Sequence, residues 1–231
     1  MAKRIFDFFA ALFGLIMLSP LLLLIAIRIR QTMPGGSVIF RQKRVGQHGV
    51  AFTLYKFRTM QVAHHGCTVS VKGERRITPL GAKLRQHKLD ELPELWNVLK
   101  GDMSFVGPRP DVPGYADLLK GNDRIILSMK PGVTGPATLK YANEEVLLAM
   151  KDNPQKFNDE VLFPDKVRIN LKYKENQSFL LDIKIIICTI LGIQLNEPWM
   201  SEKVWPETRI HNRKPRAKQT LNLEPESTNL K

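Results

Sequence analysis

Two adjacent carboxylates, Asp90 and Glu91, close the most basic stretch of this 231-residue chain. Residues 28–90 hold 13 Lys and Arg against two Asp and Glu, which accounts for most of the formal net charge of +13. Shortly afterwards comes Gly107-Pro108-Arg109-Pro110, a rigid turn presenting one arginine, which suits bidentate fixation of a phosphate. A carboxylate that attacks a phosphoryl group meets like-charge repulsion, and arginine with a divalent cation relieves it. Carboxylate chemistry on a phosphorylated substrate is therefore the sharp reading. For the acidic pair alone, ordinary helix capping is the simpler one.

Several chemistries leave no trace. The chain has no G-x-x-x-x-G-K-[ST] loop, no G-x-G-x-x-G, no H-E-x-x-H and no D-x-D pair. Its two cysteines, Cys67 and Cys188, are too few for a disulfide scaffold, so a reducing compartment is expected. Five scattered histidines give no zinc spacing, and His64, His65 and His87 read as solvated side chains in basic or loop surroundings. The positive balance predicts an anionic partner: nucleic acid, an acidic membrane surface or a phosphorylated substrate.

The elements around the acidic pair follow from local pattern. Residues 37–40 and 52–57 are β-branched and aromatic, with turns at Gly35-Gly36 and at 46–49, and predict two strands. Residues 61–73 read as a loop. Thr78-Pro79 opens a helix over 82–87, and Pro93 is tolerated in the first turn of a second helix over 92–99, whose dipole would keep Asp90 and Glu91 ionised. Residues 101–114, with four Gly/Pro turns, are expected to be irregular, and 115–120 and 143–151 helical. Residues 178–195 are apolar but contain Asp182 and Lys184, which predicts a helix packed on the domain or lying at an interface. Cys188 is expected to pack on its apolar face. From about Pro206 the chain turns polar and basic and reads as a flexible tail, 201–231, able to touch anionic lipid.

Residues 8–27 (FFAALFGLIMLSPLLLLIAI) carry no charge and, as a helix, match the hydrocarbon thickness of a bilayer. The run exceeds a normal signal-peptide core, and Arg28 and Arg30 follow it in place of a small-residue cleavage site. A simple span remains open. Pro20 cannot donate to the Ile16 carbonyl, which predicts a kink that the Ser19 hydroxyl can relieve by bonding back into the preceding turn. Lys3 and Arg4 precede the run and five further basic residues, Arg28 to Arg44, follow it; both flanks prefer the cytoplasmic side. A helix at 1–30 that bends at Ser19-Pro20 and returns to its own side satisfies both details.

Four segments together make the chain recognisable: 40–46 (FRQKRVG), 55–60 (YKFRTM), 89–110 (LDELPELWNVLKGDMSFVGPRP) and 130–135 (KPGVTG). With the Ser-Pro helix, they make it resemble the monotopic phosphoglycosyl transferases, bacterial sugar transferases that start glycan assembly on a lipid carrier. The resemblance covers roughly residues 1–200, and the 89–110 block is its most specific part. It implies an α+β fold: a small mixed helix/strand catalytic domain at 31–200 with a re-entrant membrane helix and interfacial amphipathic helices. It implies transfer of a sugar 1-phosphate from a UDP-sugar to polyprenyl (undecaprenyl) phosphate, with release of UMP. The reaction would take place on the cytoplasmic face of the bacterial inner membrane. Asp90 would form a covalent phosphosugar intermediate and hold part of the Mg²⁺, and Glu91 would take a proton or assist at the metal. Arg85 and Arg109 match phosphate-contacting positions, and Lys56 and Arg58 would line the same pocket. Glu94 stands where the family is expected to carry Gln, and residues 135–141 (GPATLKY) depart from longer members at a place that bears on sugar choice. Sequence leaves the oligomeric state open, a homo-oligomer included. The rivals are a membrane-tethered nucleic-acid binder, against which stands the lack of any aromatic-interleaved RNA motif or helix-turn-helix, and a non-catalytic scaffold.

Overall fold

The computed structural model describes residues 2–61 and 76–200. The expected loop at 61–73, apart from Gln61, and the tail at 201–231 lie outside the described residues. The chain forms one long apolar helix laid along a small mixed helix/strand domain.

The apolar run folds into α1 (Ala2–Thr32), 31 residues with Pro20 inside. The helix continues through Pro20, and the Ile16 carbonyl, which the proline cannot serve, accepts the Ser19 hydroxyl at 2.8 Å. Asp7, Ala11, Ile25 and Ile29 are buried and Gly14, Leu18 and Leu22 half-buried, a spacing of three and four that marks one helical face against the domain. The opposite face leaves Phe9, Phe13, Ile16, Met17, Leu23 and Leu24 exposed.

Both ends of α1 are fastened to the same domain. Lys3 donates to the Val106 carbonyl (3.0 Å) and to Asp182, and Asp7 accepts from the Phe105 amide (3.2 Å). Arg4 donates to the carbonyls of Val98 (2.6 Å) and Leu99 (2.7 Å), the last turn of α3 (Glu94–Lys100). A cation there meets the negative end of the helix dipole and satisfies orphan carbonyls. At the other end Ile25, Ile29 and Met33 pack with Phe57 and Leu84.

β1 (Ile39–Val45) and β2 (Ala51–Phe57) form an antiparallel hairpin with Phe40 opposite Lys56. The first strand lies later than the pattern at 37–40 predicted. The basic 40–46 segment is itself the strand, because half-exposed positions of a two-stranded ribbon accept Arg and Lys as readily as apolar residues. α2 (Pro79–Gln86) starts at the Thr78 cap, whose hydroxyl accepts from the Gly81 amide at 3.0 Å, three residues earlier than expected. The segment expected to be irregular contains β3 (Ser104–Val106), parallel to β4 (Gly132–Thr134).

α4 (Pro136–Lys140), α5 (Glu144–Ala149) and α6 (Pro154–Phe157) follow, then α7 (Phe163–Asn176) and α8 (Phe179–Leu191). Residues 115–120 form only a 3₁₀ turn, Ala116–Leu118. Val106, Ile126, Val167, Tyr173, Ile185 and Cys188 belong to the main core. The exposed side of α8 shows Leu180, Ile187, Ile190 and Leu191, and the Phe6 and Phe179 rings, 5.5 Å apart, join α8 to α1.

Candidate active site

Asp90 and Glu91 lie in a 3₁₀ turn, Leu89–Glu91, between α2 and α3. Lys88 adopts a left-handed conformation (φ 55°), which ends the α2 connection sharply and turns the pair inward. Asp90 is only 7% exposed, and its Oδ1 is buried without a hydrogen-bond partner. Glu91 Oε1, by contrast, accepts from Lys56 Nζ at 2.7 Å and from Arg109 Nη2 at 2.5 Å. Lys56 also lies 3.2 Å from Glu94 Oε1.

These surroundings drive the pair apart. Burial, reinforced by the charge of Glu91, raises the Asp90 pKa above the usual carboxylate value. Burial would raise Glu91 too, but Arg109 and Lys56 together outweigh it and hold Glu91 well below the usual range. Burial pushes Glu94 up to about 7 in spite of Lys56. Desolvation is thus the largest influence on Asp90, whereas Glu91 is kept ionised by two cations.

Arg109 reaches the pair because of tight backbone packing beneath it. The Gly107 amide donates to the Thr134 carbonyl (3.0 Å), and the Gly132 amide to the Pro108 carbonyl (2.8 Å). A Cβ on Gly107 would fall 2.2 Å from the Lys130 carbonyl oxygen, so only glycine permits the crossing.

Lys56, Arg58, Arg85, Asp90, Glu91 and Arg109 all line one cavity of ≈ 1280 Å³. That exceeds the roughly 300–1,000 Å³ of ordinary small-molecule sites and leaves room for two substrates. Within it, Arg85 is paired with Glu145 on α5. Arg58 donates through Nη2 to the Met33 carbonyl, tying down the end of α1, while its Nε is buried without a partner. Ser19 and Pro20 lie apart from the cavity, within α1.

Among the lining residues that reading the sequence missed are Arg44 and Asp111. Arg44 donates to the Pro110 carbonyl (3.1 Å) and to Gln42 (2.7 Å), with Nε unpartnered; its place in the 40–46 segment was the available signal. Asp111, lifted by burial to about 6, follows directly on the Pro110 turn.

Residues 1–195 match the family model described as bacterial sugar transferase. The chain belongs to the bacterial sugar transferase family. It is 35% identical over 195 residues to the uncharacterized sugar transferase EpsL of Bacillus subtilis, covering 84% of this chain and 88% of that one. It is 32% identical over 213 residues to the exopolysaccharide production protein ExoY of Rhizobium meliloti, covering 85% and 87%. A 112-residue stretch is 46% identical to the UDP-glucose:undecaprenyl-phosphate glucose-1-phosphate transferase of Xanthomonas campestris, 47% of this chain but 23% of that longer protein.

In this sugar transferase the buried, unpartnered Asp90 Oδ1 fits a divalent cation as a single hard oxygen donor. No group of three or more His, Cys, Asp or Glu side chains is placed to hold a metal among the described residues. The remaining ligands would have to be phosphate oxygens and water, which is how Mg²⁺ is commonly bound.

Proposed function

We propose that the protein transfers a sugar 1-phosphate from a UDP-sugar to polyprenyl phosphate through an aspartyl-phosphosugar intermediate. The observation that carries this reading is the Asp90 Oδ1 atom, buried without a hydrogen-bond partner in a cavity whose lining includes Lys56, Arg58, Arg85 and Arg109. A desolvated carboxylate is a stronger nucleophile than a hydrated one, and flanking cations lower the cost of approaching a diphosphate. An Asp90 oxygen attacks the β-phosphorus, the bond from that phosphorus to the bridging oxygen breaks, and the electron pair leaves with UMP. An oxygen of the lipid phosphate then attacks the same phosphorus and frees the carboxylate. Phosphate monoesters have a second pKa of about 6, so the acceptor arrives largely dianionic and needs no base. Glu91, which the family resemblance casts as proton acceptor, is held ionised by Arg109 and Lys56; its work is to hold those cations where the phosphates enter. Mg²⁺ held by Asp90 would supply further neutralisation of the diphosphate.

The same reading makes α1 a monotopic anchor on the cytoplasmic face of the inner membrane. Fastening of both helix ends to one domain supports it, as do the exposed apolar side chains on α1 and on α8. A polyprenyl phosphate embedded in that leaflet carries its phosphate at headgroup level, within reach of an interfacial cavity.

The test is incubation of the full chain with UDP-glucose, UDP-galactose and their N-acetylated forms plus polyprenyl phosphate, following UMP. Release with one or more donors, abolished by chelation and by Asp90→Asn, is expected. No release from any donor overturns the assignment.

A further inference from the structure

The cavity holds a second group of unsatisfied polar atoms, distinct in chemistry from the charged end. Asp90 Oδ1, Arg44 Nε and Arg58 Nε are buried without partners around the phosphate-binding residues. Thr138 Oγ1 and Asn170 Oδ1 are likewise buried without partners and line the same cavity, and Asn170 is only 5% exposed. Leaving a buried polar group unpaired is costly, so a hydroxyl and an amide kept this way are groups awaiting a ligand. Both are neutral, which suits a polyhydroxylated, uncharged moiety better than a phosphate.

Their position relative to the reacting end is fixed by the fold. α4 begins where Gly135 touches the turn that carries Arg109: a Cβ on Gly135 would lie 2.3 Å from the Gly107 carbonyl oxygen. Thr138 stands three residues further, a rise of roughly 4.5 Å along the helix. Asn170 comes from α7, which packs against α4. That seam is tied together, because Asp165 on α7 accepts from Lys140 Nζ and from the Tyr141 hydroxyl, each at 2.6 Å.

We infer that Thr138 and Asn170 form the subsite that reads the hydroxyl pattern of the donor's sugar. This rests on the donor being a UDP-sugar. A hydroxyl can donate to or accept from a sugar hydroxyl, and an amide can do both at once, so an epimer that turns a hydroxyl away leaves them unpaired again.

The experiment measures donor choice separately from turnover. Dissociation constants for UDP-glucose, UDP-galactose, their N-acetylated forms and UMP are obtained by calorimetry on the full chain carrying Asp90→Asn, with and without Thr138→Val or Asn170→Ala. UMP-release rates are read in parallel on the chain with Asp90 intact. Each substitution is expected to change the ratio of affinities between epimeric donors about tenfold, while UMP affinity stays within about twofold. Thr138→Ser, which keeps the hydroxyl, should retain the native ratio. An equal loss for all donors, or unchanged ratios, overturns the inference. A matching loss of UMP affinity overturns it in favour of uracil recognition. Donor discrimination in binding without any UMP release would instead sink the proposed reaction and leave the subsite standing.

Discussion

Adjacent carboxylates rarely share an environment, and here a few ångströms separate opposite fates. Glu91 bonds two cations and stays ionised; Asp90 Oδ1 bonds none among the described residues and is desolvated. Removing the Glu91 charge leaves Arg109 and Lys56 facing each other. Breaking a fully buried pair costs about 3–5 kcal/mol, but the Arg109 side chain is 39% exposed, so Glu91→Gln should cost roughly 1–3 kcal/mol in chemical denaturation. A loss below about 0.5 kcal/mol would show that the cations are held otherwise. Glu94 makes a pH-dependent prediction. Its folded-state pKa, about 7, lies above the unfolded value near 4.5, so between these values the folded state binds more protons and stability falls as pH rises. Glu94→Gln removes that loss. Its melting temperature relative to the unsubstituted protein should therefore climb from pH 5 to pH 8; a pH-independent difference would contradict the burial argument.

At the scale of elements, the site depends on short pieces pinned by backbone contacts. β3 and β4 are three residues each and hold only because Gly107 and Gly132 pass without side chains. A Cβ on Gly132 would fall 2.2 Å from the Gly107 nitrogen. Gly132→Ala should thus displace the Arg109 turn, lowering stability by about 2–4 kcal/mol and weakening binding of UMP, read by calorimetry; native UMP affinity would contradict it. Such contacts explain what the sequence could and could not reveal. The acidic pair and the Arg109 turn were legible because carboxylates, arginine and turn glycines announce themselves locally, and the 40–46 and 55–60 segments through the family resemblance. The parallel β3–β4 pair was not: three-residue strands separated in sequence carry no periodic signal. α7 was hidden by its mixed face, with Asn170 and Tyr173 buried beside Val167 and Ile169. The work of Arg4 at the end of α3 was invisible too, since a flanking arginine beside an apolar run reads first as a membrane-side marker. Asn97 is another such case: wholly buried, it accepts from the Tyr55 amide (3.1 Å) and donates to the Thr53 carbonyl (2.7 Å), fixing α3 to β2 by a pairing that spacing does not foretell.

At the scale of the molecule, the long helix and the cavity form one device. Lys3, Arg4 and Asp7 fasten the start of α1, Ile25 and Ile29 its end, so both termini stay with the catalytic domain while the outward side remains apolar. A cysteine placed at residue 2 should accordingly resist membrane-impermeant maleimide in intact cells and react after permeabilisation; labelling from outside would mean that the helix crosses. In the proposed reaction, a domain seated at the headgroup level would bring a soluble donor and a lipid acceptor to one carboxylate in turn. That two-step use of Asp90 is tested most directly by intact-mass spectrometry of the full chain incubated with its donor and no acceptor, followed by peptide mapping. A mass increase of one phosphosugar, located at Asp90 and discharged by added polyprenyl phosphate, is predicted. Donor turnover without any adduct, or an adduct on another side chain, would contradict the account.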